Sequence, residues 1–359
     1  MNVSKQLLIK ILIPLTLLVA GAGFLAFLAS YISPESFTFP AFMGLAMPLI
    51  LATNLFLCIF WFILRKKWGI IPGLIILLNI GYLTSVFQIT FSSSRSVSEP
   101  DIRLATYNVR NFRSWDLFPS QYYITTYLNE QQINVVCFQE YLDYGTFNTD
   151  SLGKLLDLPY HAVEFIKNSS TQGSAIFSKF PILQSGHIDF YSKVNHAMWV
   201  DLQVGGQVVR VISCHLQTTD FSSKGRQLKK EGLQYGNLEQ ASPIIESAFR
   251  DLDKNFALRA KQADIIRQIT DTTHTPVIVC GDFNDTPASY TYHRIKNKLN
   301  DSFRARGNGY SYTFKGLRRL LRIDFIFYSS QLKCVGYESP NLEWSDHNPV
   351  ISEFVFAIP

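Results

Sequence analysis

Three long apolar stretches open the chain, at residues 7–32, 41–64 and 69–91. Each reaches the ~20 residues that a helix needs to cross a hydrocarbon core of about 30 Å. Pro14, Pro48 and Pro72 fall inside them, which membrane helices tolerate. The first stretch has the basic start and small residues, Ala20-Gly21-Ala22, of a cleavable leader. Two further stretches follow it directly, which favours a true span. The loop after the first stretch carries no Lys or Arg, whereas the loop after the second is Arg65-Lys66-Lys67. The positive-inside rule then places the N-terminus and residues 65–67 in the cytoplasm. Three crossings leave everything beyond residue 91 on the outer side. The expectation is therefore a multi-pass membrane domain at 1–91, a Ser-rich linker at 92–100 that reads as a flexible tether, and a second domain at 101–359.

The pattern changes at residue 101. Short runs with strand character appear at 102–107, 134–138, 175–177, 198–204, 208–214, 277–280, 323–328 and 350–356. Helical periodicity appears at 120–132, 242–251, 256–272 and 288–298. Gly205-Gly206 joins two of the strands as a hairpin. Residues 219–241 are polar and rich in Gly, Lys and Gln, the composition of a surface loop. Strands alternating with helices predict an α/β sandwich in which sheets pack between helices.

Charge follows the same division. Residues 1–67 carry Lys5, Lys10, Arg65, Lys66 and Lys67 against Glu35, and the remainder is nearly balanced, so the overall charge of +5 belongs mostly to the apolar part. A surface built to bind duplex nucleic acid usually carries a clear basic excess, which residues 101–359 lack as a whole. The five cysteines show no metal-ligand spacing. They read as small buried apolar residues, although an outer location would permit disulfides.

Polar residues collect at the C-terminal ends of the strand-like runs. Asn108 follows Leu104-Ala105-Thr106-Tyr107, Glu140 follows Val135-Val136-Cys137-Phe138-Gln139, and His215 follows Val211-Ile212-Ser213-Cys214. Asp282 and Asn284 close the run at 277–281, Asp324 lies inside Arg322-Ile323-Asp324-Phe325-Ile326, and Asp346 and His347 precede the last strand. Any one alone is most simply a turn or cap residue. Eight in the same relation to apolar strands point instead to a shared site for a divalent metal and water activation.

These residues, in this order, resemble a known family. Tyr107-Asn108, Phe138-Gln139-Glu140, Gly173-Ser174-Ala175-Ile176-Phe177-Ser178-Lys179-Phe180-Pro181, Cys214-His215-Leu216, Gly281-Asp282-Phe283-Asn284, Arg322-Ile323-Asp324-Phe325-Ile326 and Ser345-Asp346-His347 are similar to motifs of the endonuclease/exonuclease/phosphatase superfamily. That superfamily includes DNase I, abasic-site endonucleases, neutral sphingomyelinases and inositol polyphosphate 5-phosphatases. The resemblance covers residues 101–359. It implies a four-layer α/β sandwich of two facing mixed β-sheets, DNase I-like, here preceded by three transmembrane helices.

The resemblance also implies roles. Glu140 and Asn108, with Asp346 as a further contributor, would hold Mg²⁺ or Mn²⁺. Asp282 would orient or deprotonate the attacking water, and Asn284 would hold the phosphate. His347, its tautomer fixed by Asp324, would bind the scissile phosphate or act as base. His215 matches the histidine that DNase I and the sphingomyelinases use near the leaving group.

Two departures narrow the choice. Arg110 stands where abasic endonucleases carry a metal-binding carboxylate. Leu321-Arg322-Ile323-Asp324 replaces the Trp-Cys-Asp-Arg segment of the 5-phosphatases, which argues against inositol phosphatase activity. Two basic clusters accompany the motifs: Lys224, Arg226, Lys229 and Lys230 in the long segment 219–261, and Lys315, Arg318, Arg319 and Arg322 before Asp324. Each reads first as a solvated loop face; otherwise the first cluster is a lid or headgroup contact near His215, and the second a contact for phosphate or anionic lipid. The expected activity is that of a membrane-anchored, metal-dependent phosphodiesterase acting on a lipid headgroup or similar phosphodiester. An outward-facing nuclease for DNA or RNA is the alternative, and a non-catalytic anchored binding module a third reading.

Overall fold

The computed structural model describes residues 3–90, 99–114, 119–190, 192, 194–218 and 238–357. Its first part is helical: α1 (Val3–Leu28), α2 (Phe39–Leu45), α3 (Met47–Ile63), α4 (Ile70–Leu78) and α5 (Ile80–Val86). Only Ile9–Leu28 is by itself both long and apolar enough to cross a membrane. The second and third apolar stretches are each broken, by bends of 71° between α2 and α3 and 57° between a single turn leading into α4 (Lys67–Leu78 together) and α5. The three transmembrane helices expected from the sequence appear, among the described residues, as one such helix and two bent pairs, which make three spans if each pair is one. Pro48 sits at the start of α3, just after the first break. Asn79 sits at the second, its side chain donating to Gly23 O (3.3 Å) and Ile75 O (2.9 Å).

The helices are held together by small and polar residues. Trp61 Nε1 donates to Thr16 Oγ1 at 2.9 Å, and Asn54 Nδ2 reaches Ile50 O and Val19 O. A Cβ on Gly23 would come within 2.4 Å of Ile75 Cγ2, so only glycine allows this approach of α1 to α4. Leu18, Phe56, Phe62, Ile63, Leu74 and Leu77 point outward and are exposed.

Beyond the helices come β1 (Phe87–Gln88), β2 (Ile102–Asn108), α6 (Gln121–Glu130), β3 (Val135–Leu142), α7 (Thr149–Leu155), β4 (Tyr160–Phe165), β5 (Gln172–Ser178), β6 (Ile182–Ile188), β7 (His196–Val204) and β8 (Gln207–His215). There follow α8 (Leu238–Thr272), β9 (Val277–Asp282), α9 (Tyr290–Lys296), β10 (Asn300–Asp301), α10 (Ser302–Arg306), β11 (Gly309–Tyr310), β12 (Asp324–Tyr328), β13 (Leu332–Glu338) and β14 (Val350–Phe356). Two six-stranded sheets result, ordered β13-β14-β2-β3-β5-β4 and β10-β12-β9-β8-β7-β6. Each contains one parallel pair, β2 with β3 and β8 with β9, among antiparallel neighbours.

Alternation along the strands explains the layers. Ile102, Leu104, Val135, Cys137 and Ile176 of the first sheet meet Val200, Val209, Val211, Ile278 and Cys280 of the second. The opposite face of the first sheet, with Ala105, Val136, Phe138 and Phe177, buries Ile124 and Leu128 of α6 and Leu152 of α7. The opposite face of the second sheet, with Ile212, Val279 and Phe325, buries Ala263 and Ile266 of α8 and Tyr292 and Ile295 of α9. The four-layer sandwich of two mixed sheets is therefore present. Residues 242–251 and 256–272 form one helix rather than two, and from residue 238 the long segment before residue 261 is helix rather than loop. The basic residues Lys224, Arg226, Lys229 and Lys230 lie outside the described residues, as does most of the 92–100 linker.

The helical part is docked on the sandwich. β1 continues from α5 and pairs with β11, Phe87 opposite Tyr310. Arg322, fully buried, makes a bidentate pair with Asp301 (2.6 and 2.8 Å) and donates to Ser85 O at 2.8 Å. Ser30 Oγ donates to Ala288 O at 3.3 Å, and Gly44 lies against Ala29 and Ala288. These contacts hold the sandwich against the helices. All five cysteines are free, and four are buried.

Candidate active site

Apolar side chains fill the layer between the sheets until the C-terminal ends of β2, β3, β8 and β9, where polar residues replace them. Gln139 marks the change: its Nε2 reaches Ser213 Oγ (3.0 Å) on the opposite sheet and Thr106 Oγ1 (3.1 Å) beside it. One residue later β3 bulges. The register against β5 shifts between Phe138 and Tyr141, and Glu140 takes a left-handed φ of 50°. Such bulges re-aim a side chain at the edge of a site. Without the shift, alternation would send Glu140 to the helix-covered face with Phe138.

Asn108, at the end of β2, is the hub. Its Nδ2 donates to Glu140 Oε1 and to Asp282 Oδ2, both at 3.0 Å, so one neutral amide ties together carboxylates from the two sheets. Its Oδ1 accepts from Arg110 N at 3.1 Å, and its backbone carbonyl accepts from Ser345 Oγ at 2.7 Å.

Asp282 ends β9 and is buried. The glycine before it is obligatory, because Gly281 has φ 129° and a Cβ there would lie 2.0 Å from Cys214 O. The register sets Asp282 between His215 and Asp324. Asp282 Oδ1 accepts from Asn284 N at 2.9 Å, an Asx turn that holds Asn284 at φ 51°. The Asn284 amide donates to Leu216 O at 3.1 Å.

His347 completes the group. Its Nδ1 meets Asp324 Oδ2 at 2.9 Å and its Nε2 lies 3.7 Å from Asp282 Oδ2. Asp324 is itself oriented by Thr313, whose hydroxyl accepts from the amides of Ile323 and Asp324. Phe314 covers the His347 ring at 5.1 Å. His215 Nε2 lies 3.8 Å from Glu140 Oε1 and 4.0 Å from Asp282 Oδ2.

Burial and neighbouring charge pull these groups in different directions. Burial raises the Asp282 carboxyl to about 6, although His347 works against it. Burial also raises Glu140. Burial alone would lower His347, but the Asp324 and Asp282 carboxylates outweigh it and hold the imidazole well above its ordinary value. His215 goes the other way, lowered by burial. The neighbouring carboxylates thus favour the charged form of His347, and burial the neutral form of His215.

Seven of the eight residues singled out from the sequence, Asn108, Glu140, His215, Asp282, Asn284, Asp324 and His347, form one connected group. Asp346 stands at its edge. Its Oδ2 is 3.6 Å from Arg110 Nε, the residue that replaces a carboxylate at that position. Gln139, Ser345 and Thr313 support the group and received no role from the sequence. Gln139 and Ser345 sit inside quoted motifs, whereas Thr313 carries no sequence signal beyond being polar.

A family model described as "Endonuclease/Exonuclease/phosphatase family" matches residues 105–347, well over half of the chain, and spans all of these residues. The chain belongs to the endonuclease/exonuclease/phosphatase family. Members of this family hydrolyse phosphoester bonds, and the chain is an enzyme of that class. A second model, described as a domain of unknown function, matches residues 9–86. No curated protein matches the chain. Among solved structures it is similar to an endonuclease/exonuclease/phosphatase from Beutenbergia cavernae DSM 12333, with 17% identity, TM-score 0.51 and 71% of each chain covered. It is also similar to the mannosyl-6-phosphatase Bt3783 of Bacteroides thetaiotaomicron VPI-5482, at 16% identity, TM-score 0.50, 71% of this chain and 100% of that one. A third is ANGEL2, a 2',3'-cyclic phosphatase, at 15% identity, TM-score 0.50, 70% of this chain and 94% of that one. At such identities the family likeness in these structures is one of fold.

The donor set fits a divalent cation. Glu140 is a half-buried carboxylate that accepts from the neutral Asn108 amide at 3.0 Å. Oxygen donors of this kind suit Mg²⁺ or Mn²⁺. Asp282, Asp324 and His347 also lie within 4.8 Å of one another. There Nδ1 of His347 is committed to Asp324, which leaves Asp282 and Nε2 of His347 as the donors facing each other.

Proposed function

We propose that this protein is a membrane-anchored, divalent-metal-dependent phosphodiesterase, organised as a membrane domain at 1–91, a linker at 92–100 and a catalytic domain at 101–359. The observation that carries the reading is the Asn108 amide bridging Glu140 to Asp282, with the Asp324–His347 pair beside it. Glu140 and Asn108, with Asp346 as a further contributor, would hold the metal. A divalent cation offsets charge that develops on phosphate oxygens. Asp282 accepts the proton of the attacking water. His347, protonated and fixed by Asp324, donates to a phosphate oxygen. Asn284 adds a neutral donor after exchanging its bond to Leu216 O, and His215 assists the leaving oxygen. Proton transfer of this kind is worth about 10²–10⁴-fold.

Two features support a phosphodiester at the bilayer surface. The exposed apolar faces of α1, α3 and α4 suit hydrocarbon rather than water, and each bent pair serves as one crossing, giving three. The sandwich then lies outside the cytoplasm, locked to those helices near the site. A reporter fused after Pro100 should read as extracytoplasmic, and a cytoplasmic signal would refute the three-crossing topology.

The activity test uses the full chain in lipid nanodiscs. Bis-p-nitrophenyl phosphate should be hydrolysed with Mg²⁺ or Mn²⁺ and not with EDTA. Because Asp282 must be ionised to accept a proton, kcat/KM should fall as pH drops through about 6. Phospholipid and labelled DNA are assayed side by side. Rapid cleavage of DNA with intact lipid would replace the lipid reading by the nuclease one.

A further inference from the structure

The basic cluster before Asp324 divides in the folded chain. Arg322 is consumed by Asp301 and Ser85, and Lys315 Nζ donates to Ser345 O (2.5 Å) and to Leu342 O. Leu317, Arg318, Arg319 and Leu320 are exposed. Leu317, Arg318 and Arg319 all take left-handed backbone, φ 46°, 58° and 59°, a conformation that residues with a Cβ rarely adopt. The turn thus holds two leucines and two arginines at the surface in a conformation they do not prefer.

Its neighbours say what it faces. Tyr310 OH donates to Leu320 O at 2.6 Å, Tyr310 is opposite Phe87 in the β1–β11 pair, and β1 is the direct continuation of α5. Phe87, Ile89, Tyr310, Leu317 and Leu320 are all exposed, between 38% and 61%. The apolar strip therefore runs from the end of the last membrane helix to the turn without leaving the surface. On its other side the turn leads into the site: Lys315 N donates to Asp346 O at 2.9 Å, and Phe314 covers His347. We infer that residues 317–320 form a contact finger for an anionic membrane surface, with Leu317 and Leu320 entering the interface and Arg318 and Arg319 meeting lipid phosphates. The finger aligns the His347 side of the site with headgroups of the same bilayer that the helices cross. Leucine and arginine together suit this partner, because apolar side chains gain from the acyl boundary and cations from the negative surface.

The inference rests on the membrane reading above, and one experiment separates the two. The full chain, in a Cys58→Ser background, receives a fluorescent bimane probe at Leu317→Cys or at Phe56→Cys. It is placed in nanodiscs of phosphatidylcholine with or without phosphatidylglycerol, some with lipids brominated near the headgroup or deep in the chains. The Phe56 probe should be quenched by deep bromines. The Leu317 probe should be quenched by shallow bromines, more strongly with phosphatidylglycerol. Each cation near such a surface favours contact by roughly fivefold, so Arg318→Glu with Arg319→Glu should shift the inserted-to-free ratio by at least roughly thirtyfold. Quenching at Phe56 without quenching at Leu317 overturns the finger and leaves the membrane reading standing. No quenching at either position overturns both. A Leu317 probe that responds to duplex DNA and not to lipid overturns the finger in favour of a nucleic-acid surface.

Discussion

The helical part and the sandwich solve opposite solvation problems. In the sandwich, Val135, Ile176, Val211 and Ile278 face inward, and the chemically active polar groups gather where the two sheets end. In the helices, Thr16, Asn54 and Asn79 face inward as interhelical hydrogen bonds, while Leu18, Phe56, Phe62 and Leu77 face out. Amides inside and leucines outside suit the hydrocarbon surroundings proposed above, where close packing and hydrogen bonds replace the hydrophobic effect between helices. The two halves meet where buried Arg322, paired with Asp301 inside the sandwich, donates to Ser85 O of α5.

The seam is the place to break the comparison most severely. Arg322→Ala leaves the Asp301 carboxylate buried and unpaired, and removing one member of such a pair costs about 3–5 kcal/mol. Thermal unfolding of the full chain in detergent should show the loss, and an unchanged midpoint would contradict a buried Arg322–Asp301 pair at the seam. The outward face comes next. Phe56→Lys should cost about 2.5–3.5 kcal/mol in a membrane-insertion assay. The same substitution at an exposed position in water would cost almost nothing, so efficient insertion of the variant would contradict immersion of α3. Within the site, Asp324→Asn keeps the shape but removes the charge that holds His347 protonated. A kcat loss within the roughly 10²–10⁴-fold range of acid–base assistance is expected, with KM little changed. The smallest effect is Trp61→Phe, which deletes the bond to Thr16. Interhelical bonds of this type average about 0.6 kcal/mol, measurable by mild denaturant titration in detergent.

Much of the sandwich was readable from sequence because its central strands are apolar on both faces. The runs at 102–107, 208–214, 277–280 and 350–356 appear as strands within a residue or two. β4 and β6 escaped because they are edge strands. Tyr160–Phe165 and Ile182–Ile188 carry His161, Glu164, Gln184, Ser185 and His187 and are half-exposed, as edges must be to discourage further pairing. α7 is only seven residues long and is set by the Asn148 cap, a local signal too brief for periodicity. The β1–β11 pair is invisible for another reason, since two-residue strands more than two hundred positions apart leave no pattern.

The site was readable for a physical reason as well. Asn108, Glu140, His215 and Asp282 interrupt apolar strands at the same end, where no core would choose them. Thr313 and the bulge that turns Glu140 inward depend on backbone geometry that single residues do not announce. The cluster at 315–322 was legible only as charge. Folding sorts it into a buried structural arginine, a lysine bound to carbonyls and an exposed turn.

The central claim is that Asp282, held by Asn108 and facing His347, carries proton transfer in phosphoester hydrolysis. The most direct measurement is single-turnover hydrolysis of bis-p-nitrophenyl phosphate by the full chain in nanodiscs with Mg²⁺, comparing the parent with Asp282→Asn at matched folding. A rate lower by about 10²–10⁴-fold is predicted. A variant that retains the parent rate would contradict the account.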